Sequence, residues 1–203
     1  MKGLIVNTRP LAYCVNPTWY AGGLLFFALF CPSEAPIRTE FLPIIIHIFL
    51  SSSQSGTLIG GYTEKYKSKL DSIVAECGLK SQQVRFLGQQ PFEKICDELQ
   101  KAHFFVFPSQ EKMEGHSNSL TEAMTFGVVP IVSTAGFNAS IVGKEELVVT
   151  TIDAQKYADA IEKILLHNTW PMYSRYVFQR IKENYTEDRV RKSIIESIQH
   201  LED

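Results

Sequence analysis

The run His103-Phe-Phe-Val-Phe107-Pro-Ser-Gln-Glu-Lys-Met-Glu114-Gly-His-Ser-Asn-Ser-Leu-Thr-Glu122-Ala-Met-Thr-Phe-Gly127-Val-Val-Pro-Ile-Val132 decides the fold. It opens on a fully apolar segment, His103 to Phe107, which suits a central parallel strand covered on both faces. A polar loop follows from Ser109 to Ser117, then a short helix from about Ser119 to Phe126, stopped by Gly127. Val128 to Val132 is a second strand. Strand, loop, helix and strand in that order are the repeating unit of a parallel α/β sheet.

The same alternation extends outward. Thr57 to Gly61 and Val84 to Gly88 read as strands. Between them, Tyr66, Leu70, Ile73, Val74 and Cys77 share one helical face, with Gly78 as the stop. Phe92, Ile95 and Leu99 stripe the next helix. Glu146 to Thr150 reads as a short strand, and Asp153 caps a helix carrying Tyr157, Ile161, Ile164 and Leu165. The last 34 residues read as all helical, with Val190, Ile194, Ile198 and Leu201 on one face. Residues 51–203 are expected to form one Rossmann-like domain with C-terminal helices. Residues 1–50 are poorly assigned: a strand at Leu4 to Asn7 and a helix near Thr18 to Phe30 are expected, and Ile44 to Leu50 has no place.

Charge and composition exclude several classes. The 203 residues carry 20 Lys and Arg against 22 Asp and Glu, a net charge of −2, which lacks the basic excess that binding nucleic acid through phosphates needs. Residues 1–60 hold only Lys2, Arg9, Glu34, Arg38 and Glu40, but their apolar runs reach only about 10 residues, half a membrane-spanning helix. Cys14, Cys31, Cys77 and Cys96 lie far apart, the pattern of reduced thiols in a cytosolic chain. There is no P-loop, no G-x-G-x-x-G and no Asp-x-Asp pair. Gly115-His-Ser117-Asn-Ser119 falls one residue short of a nucleophile elbow.

In open α/β sheets, ligands bind beyond the carboxyl ends of the strands, where the loop from Ser109 to Ser117 would lie. Gly115 allows close backbone approach. The amides around Asn118, Ser119 and Leu120 would open a helix N-terminus suited to a diphosphate. Glu114 and Glu122 are acceptors for paired sugar hydroxyls. A plainer reading stands beside this one: Ser119-Leu-Thr-Glu122 matches a capping box, Glu114 a solvated acid and His116 a loop histidine with no task.

Glu114-x7-Glu122 followed by Ala-Met-x-x-Gly-Val-x-Pro-Ile-Val, together with Thr57-Leu-Ile-Gly-Gly61, Val84-Arg-Phe-Leu-Gly88 and Phe107-Pro-Ser109, resembles the retaining glycosyltransferases of family 4 (group 1) from Gly56 to the C-terminus. The resemblance implies an α/β, Rossmann-like parallel sheet with helices on both faces, the donor-binding half of a GT-B architecture. It implies that Glu114, as the catalytic-site acid, holds the donor sugar, with Gly115 and His116 along that sugar. Asn118, Ser119 and Leu120 would meet the diphosphate and Glu122 the ribose. Arg9 stands where the family places a phosphate-binding arginine, or is a surface residue; Cys14-Val15-Asn16 stands where a lysine would follow. The implied substrate is a UDP-, GDP- or ADP-linked sugar, with no metal and no cofactor. The implied setting is cell-surface polysaccharide or glycoconjugate synthesis, in the cytoplasm or at the inner face of the membrane. There the basic residues Arg189, Arg191 and Lys192 would offer a peripheral contact, although packing of the last helix on the sheet or on another domain is the expected state. The family also has an N-terminal acceptor domain, for which this chain leaves no room. The expectation is either half an enzyme or a truncated, non-catalytic nucleotide-sugar-binding domain needing a partner half.

Overall fold

The computed structural model describes residues 26–30, 55–61, 64–76, 78–79, 83–109 and 115–199. Among these, six strands form one sheet: β1 (Phe26–Phe30), β2 (Ser55–Ile59), β3 (Val84–Phe86), β4 (Phe104–Phe107), β5 (Val129–Ser133) and β6 (Val148–Val149). The helices are α1 (Glu64–Glu76), α2 (Phe92–Leu99), α3 (Asn118–Thr125), α4 (Asn138–Val142), α5 (Ala154–Leu166), α6 (Trp170–Asn184) and α7 (Glu187–Gln199). The strand order is β3-β2-β1-β4-β5-β6, and every pair is parallel. Successive strands step outward from β1 one way and from β4 the other. Right-handed crossovers then place the helices of the two halves on opposite faces.

Burial follows the apolar runs. All residues of β4 and β5 are buried, and Phe105 stacks on Phe107 at 5.7 Å. Pro130 is tolerated inside β5 because of register. Val129 donates to the His103 carbonyl on the β4 side, so Pro130 turns toward β6, whose pairing begins only at Val132. Leu70 and Val74 of α1 are buried, and Gly78 closes the helix with the paired bonds Leu79 N–H to Val74 O and Gly78 N–H to Ala75 O. Asp153 caps α5 by accepting from the Lys156 amide at 3.1 Å, and Tyr157, Ile161 and Ile164 are buried.

Several expectations fail for physical reasons. Phe26–Phe30, expected within a helix, is the central strand β1; a run of phenylalanines and small residues fits a two-sided sheet as readily as a helix. Phe92 is 55% exposed, and Glu98 takes the buried position beside Leu99. Glu98 is accepted there because Arg85 of β3 donates to its carboxylate and Lys101 pairs with it at 3.3 Å; Arg85 also donates to Thr57 at 2.6 Å. Glu145–Leu147 is a 3₁₀ turn, leaving only Val148–Val149 as strand. The terminal helix is broken at Tyr185-Thr186 into α6 and α7. The expected Leu4 to Asn7 strand and Ile44 to Leu50 lie outside the described residues. No helix among the described residues is long and apolar enough to cross a membrane.

Candidate functional site

The strand order reverses between β1 and β4, and the crevice beyond their carboxyl ends is where an open sheet of this kind receives a ligand. The loop from β4 to α3 leaves the sheet at that point. Its start is fixed by Ser133 at the end of β5, whose hydroxyl donates to the Ser109 carbonyl at 2.5 Å. Its end is fixed by Ser117, buried and extended (φ −76°, ψ 109°), whose Oγ accepts from the Leu120 amide at 3.4 Å.

This corrects the capping expectation. Ser117, not Ser119, is the N-cap, so Glu122 sits in the second turn of α3 and does not close a capping box. In Ser117-Asn-Ser119, all three residues are good caps, and propensity alone cannot choose among them. The buried serine won because its neighbour Leu120 is wholly buried and fixes the helix start. Ser117 is also spent as a cap, which removes the incomplete nucleophile elbow from consideration.

The consequence for anion binding is specific. The Leu120 amide is engaged by Ser117, whereas the Asn118 and Ser119 amides have no partner among the described residues and stand at the positive end of the α3 dipole. Glu122 is half-buried, and its carboxylate has no hydrogen-bond partner among the described residues; burial pushes its pKa up. It faces Cys96 of α2, whose thiol is raised first by burial and then by the charge of Glu122. Gly115 has an ordinary φ, and a Cβ added there would meet no described atom within 4 Å. Neither backbone strain nor packing among the described residues requires glycine at 115. The same holds for Gly61, beyond the end of β2.

His116 is exposed, yet its ring lies 5.2 Å from that of Tyr185, tilted 49°, and the burial it does have lowers its pKa. Glu114 and Arg9 lie outside the described residues. The structure therefore brings together Gly115, His116, Asn118, Ser119, Leu120 and Glu122 from the expected set. It adds Ser117, Cys96 and Tyr185, which the sequence reading did not assign to the site. Tyr185 is 69 positions from His116 along the chain, and no spacing rule connects them. No group of three or more His, Cys, Asp or Glu among the described residues is arranged to hold a metal ion.

The family model described as "Glycosyl transferases group 1" matches residues 53–182. A comparison with curated protein sequences finds no match. Solved structures similar to the chain include the sucrose-phosphate synthase of Thermosynechococcus elongatus (20% identity, TM-score 0.70), covering 87% of this chain and 45% of that one. The C-terminal domain of the group 1 glycosyl transferase LpcC from Francisella tularensis is also similar (20% identity, TM-score 0.67), covering 80% of this chain and 87% of that one. HepE of Anabaena, solved in complex with UDP and glucose, has 16% identity and a TM-score of 0.70, covering 86% of this chain and 48% of HepE. The chain thus spans about half the length of the synthase and of HepE.

Proposed function

Because this chain belongs to the glycosyl transferases of group 1, we propose that it is the donor-binding half of a retaining, metal-independent glycosyltransferase. The observation that carries the reading is the N-terminus of α3 at the sheet's switch point. Two amides stand there one turn ahead of a half-buried carboxylate, and neither the amides nor the carboxylate has a partner among the described residues. An unpaired buried acid is costly. A ligand presenting an anion to the amides and a hydroxyl pair to Glu122 would satisfy both.

The Asn118 and Ser119 amides, with the dipole of α3, would hold the diphosphate, and Glu122 would accept from the ribose. Glu114 would hold the sugar hydroxyls, with Gly115 and His116 lying along the sugar and Arg9 adding positive charge. As the bond from the sugar to the diphosphate breaks, negative charge grows on the departing oxygen. Fixed amides aimed at that oxygen stabilise it without reorganisation. Transfer would proceed on the face the donor leaves, the departing diphosphate helping to deprotonate the acceptor. Synthesis of cell-surface polysaccharide or glycoconjugate, in the cytoplasm or at the inner face of the membrane, is the setting the reading favours. The half-length coverage of the synthase and of HepE supports a second reading, a domain that binds the nucleotide sugar and needs a partner half to transfer it.

Calorimetry with UDP-, GDP- and ADP-glucose tests the reading. Glu122→Ala is expected to weaken the preferred nucleotide roughly ten- to hundredfold, the worth of hydrogen bonds to a charged group. Glu114→Ala should mainly relax the choice of sugar. Equal and negligible effects from both would overturn the assignment.

A further inference from the structure

Helix α6 runs antiparallel to α3 and touches both of its ends. At the C-terminal end, Gly127 takes a left-handed φ of +72° that favours glycine, and a Cβ there would lie 2.9 Å from the Ser174 hydroxyl. At the N-terminal end, the contact is the ring pair of Tyr185 and His116, in the tilted arrangement and distance range that aromatic rings favour. Tyr185 is itself well placed. It ends α6, its amide donates to the Ile181 carbonyl at 2.9 Å, and it packs half-buried against the hydrophobic core. His116 immediately precedes the Ser117 cap.

We infer that Tyr185 is a positioning residue for the donor loop: by holding the His116 ring against the end of α6, it sets the angle at which the chain enters the Ser117 cap and keeps the Asn118 and Ser119 amides turned to the crevice. The inference rests on the donor-binding reading above and adds to it a residue that is distant along the chain. Its logic is one of fixed points. Among the described residues, the β4–α3 loop is tied at Ser109 by Ser133 and at His116 by Tyr185. Releasing the second tie frees the residue that enters the cap, while the Ser133 bond at the loop's start and the buried Ser117 and Leu120 at the helix start stay in place. A ligand then has to order the entry turn when it binds. That cost is about that of immobilising one side chain, which is roughly a threefold to tenfold loss of affinity.

The test uses the 203-residue chain with Tyr185→Phe, Tyr185→Leu and Tyr185→Ala. The ligand probes are UDP, GDP and ADP, titrated by calorimetry. The His116 ring is titrated by NMR, its signal assigned through His116→Gln. Tyr185→Phe keeps the ring and should match wild type in both readouts. Tyr185→Leu keeps an apolar group on the core and guards against mere unfolding. It should retain the melting temperature, weaken the best nucleotide by the stated threefold to tenfold, and let the His116 pKa rise toward its ordinary value as the covering ring is removed. Tyr185→Ala should show the same signs with larger size. Unchanged nucleotide affinity and an unchanged His116 titration in the Leu variant would overturn the inference. A wild-type chain that binds none of the three nucleotides overturns the donor-binding reading instead. The amide resonances of Asn118 and Ser119 then decide the positioning role alone: they shift in the Leu variant and not in the Phe variant if Tyr185 sets the loop, and the role is refuted if they stay in place.

Discussion

Helices α6 and α7 follow one another in the chain and look alike as sequence, each carrying an apolar stripe among charges, yet they end in opposite environments. In α6, Val177 is fully buried and Ile181 is 7% exposed. In α7, Val190, Ile194 and Ile195 remain 45–55% exposed. Polar bonds divide the same way. Along α6, Trp170 donates to the His103 carbonyl at 2.9 Å, and Tyr176 to the Gly143 carbonyl at 2.9 Å. Arg180 donates to the carbonyls of Ile141 and Ser140 at 2.7 and 2.6 Å. In α7, the ion pair Arg191–Glu187 stays within the helix, and an open cleft of about 490 Å³ is lined by Glu183 and Asn184 of α6 and by Arg189, Lys192 and Ser193 of α7. A helical stripe thus specifies a face and leaves the partner of that face unspecified. What marks α6 is a set of side chains that reach the backbone of other elements.

The sharpest way to break this comparison is to make the same change on both helices. Ile181→Ala is expected to cost about 2–5 kcal/mol, the range for emptying a buried isoleucine site. Ile194→Ala should stay within about 0.5 kcal/mol, as surface changes do. Urea denaturation followed by circular dichroism measures both. Comparable losses would mean that the α7 stripe is covered in solution. A smaller contrast isolates the polar contribution: Arg180→Ala removes two charge-assisted bonds to the end of α4 and should cost about 1.5–3 kcal/mol. Arg191→Ala removes one exposed pair worth about 0.3–0.5 kcal/mol. Arg180→Lys should recover only part of the loss, since an ammonium cannot present the planar fork that spans both carbonyls.

The pattern of what could be read from sequence has the same cause. The strands and the helix from His103 to Val132 were legible because each signal there is local: apolar runs and a stop at Gly127. The positions of Gly115, Asn118 and Ser119 at the sheet's rim followed from the strand–loop–helix order alone. The failures are all tertiary. Phe26–Phe30 became β1 because β2 and β4 flank it, and Glu98 became buried because Arg85 approaches from another strand. Ser117 displaced Ser119 as the cap because Leu120 had to be buried. The contact of His116 with Tyr185 depends on how α6 lies across α3, which no window of sequence contains. Glu114 and Arg9 fall outside the described residues, so the sugar end of the site still rests on the resemblance.

The finest distinction between the two helices is electrical. The first turn of α6 covers His103: its ring lies 4.8 Å from Trp170, Nδ1 is buried with no hydrogen-bond partner among the described residues, and burial lowers its pKa. A histidine whose pKa is lower folded than unfolded takes up a proton more readily when the chain unfolds. Its neutral form therefore supports the fold fully above the ordinary histidine value. That support is lost as the pH falls below this value toward the lower, folded pKa. His116 shifts in the same direction, so the wild type should lose stability between pH 7.5 and 5 from both groups. Each contributes a slope no steeper than about 1.4 kcal/mol per pH unit, the limit for one proton. His103→Phe keeps a ring against Trp170 and removes the titrating group. Urea midpoints measured across that range should show a flatter dependence for this variant than for wild type. Trp170→Phe, which uncovers the histidine in part and breaks its indole bond, should lower stability at pH 7.5 and also flatten the slope. If His103→Phe follows the wild-type curve throughout, then the first turn of α6 does not shield the histidine.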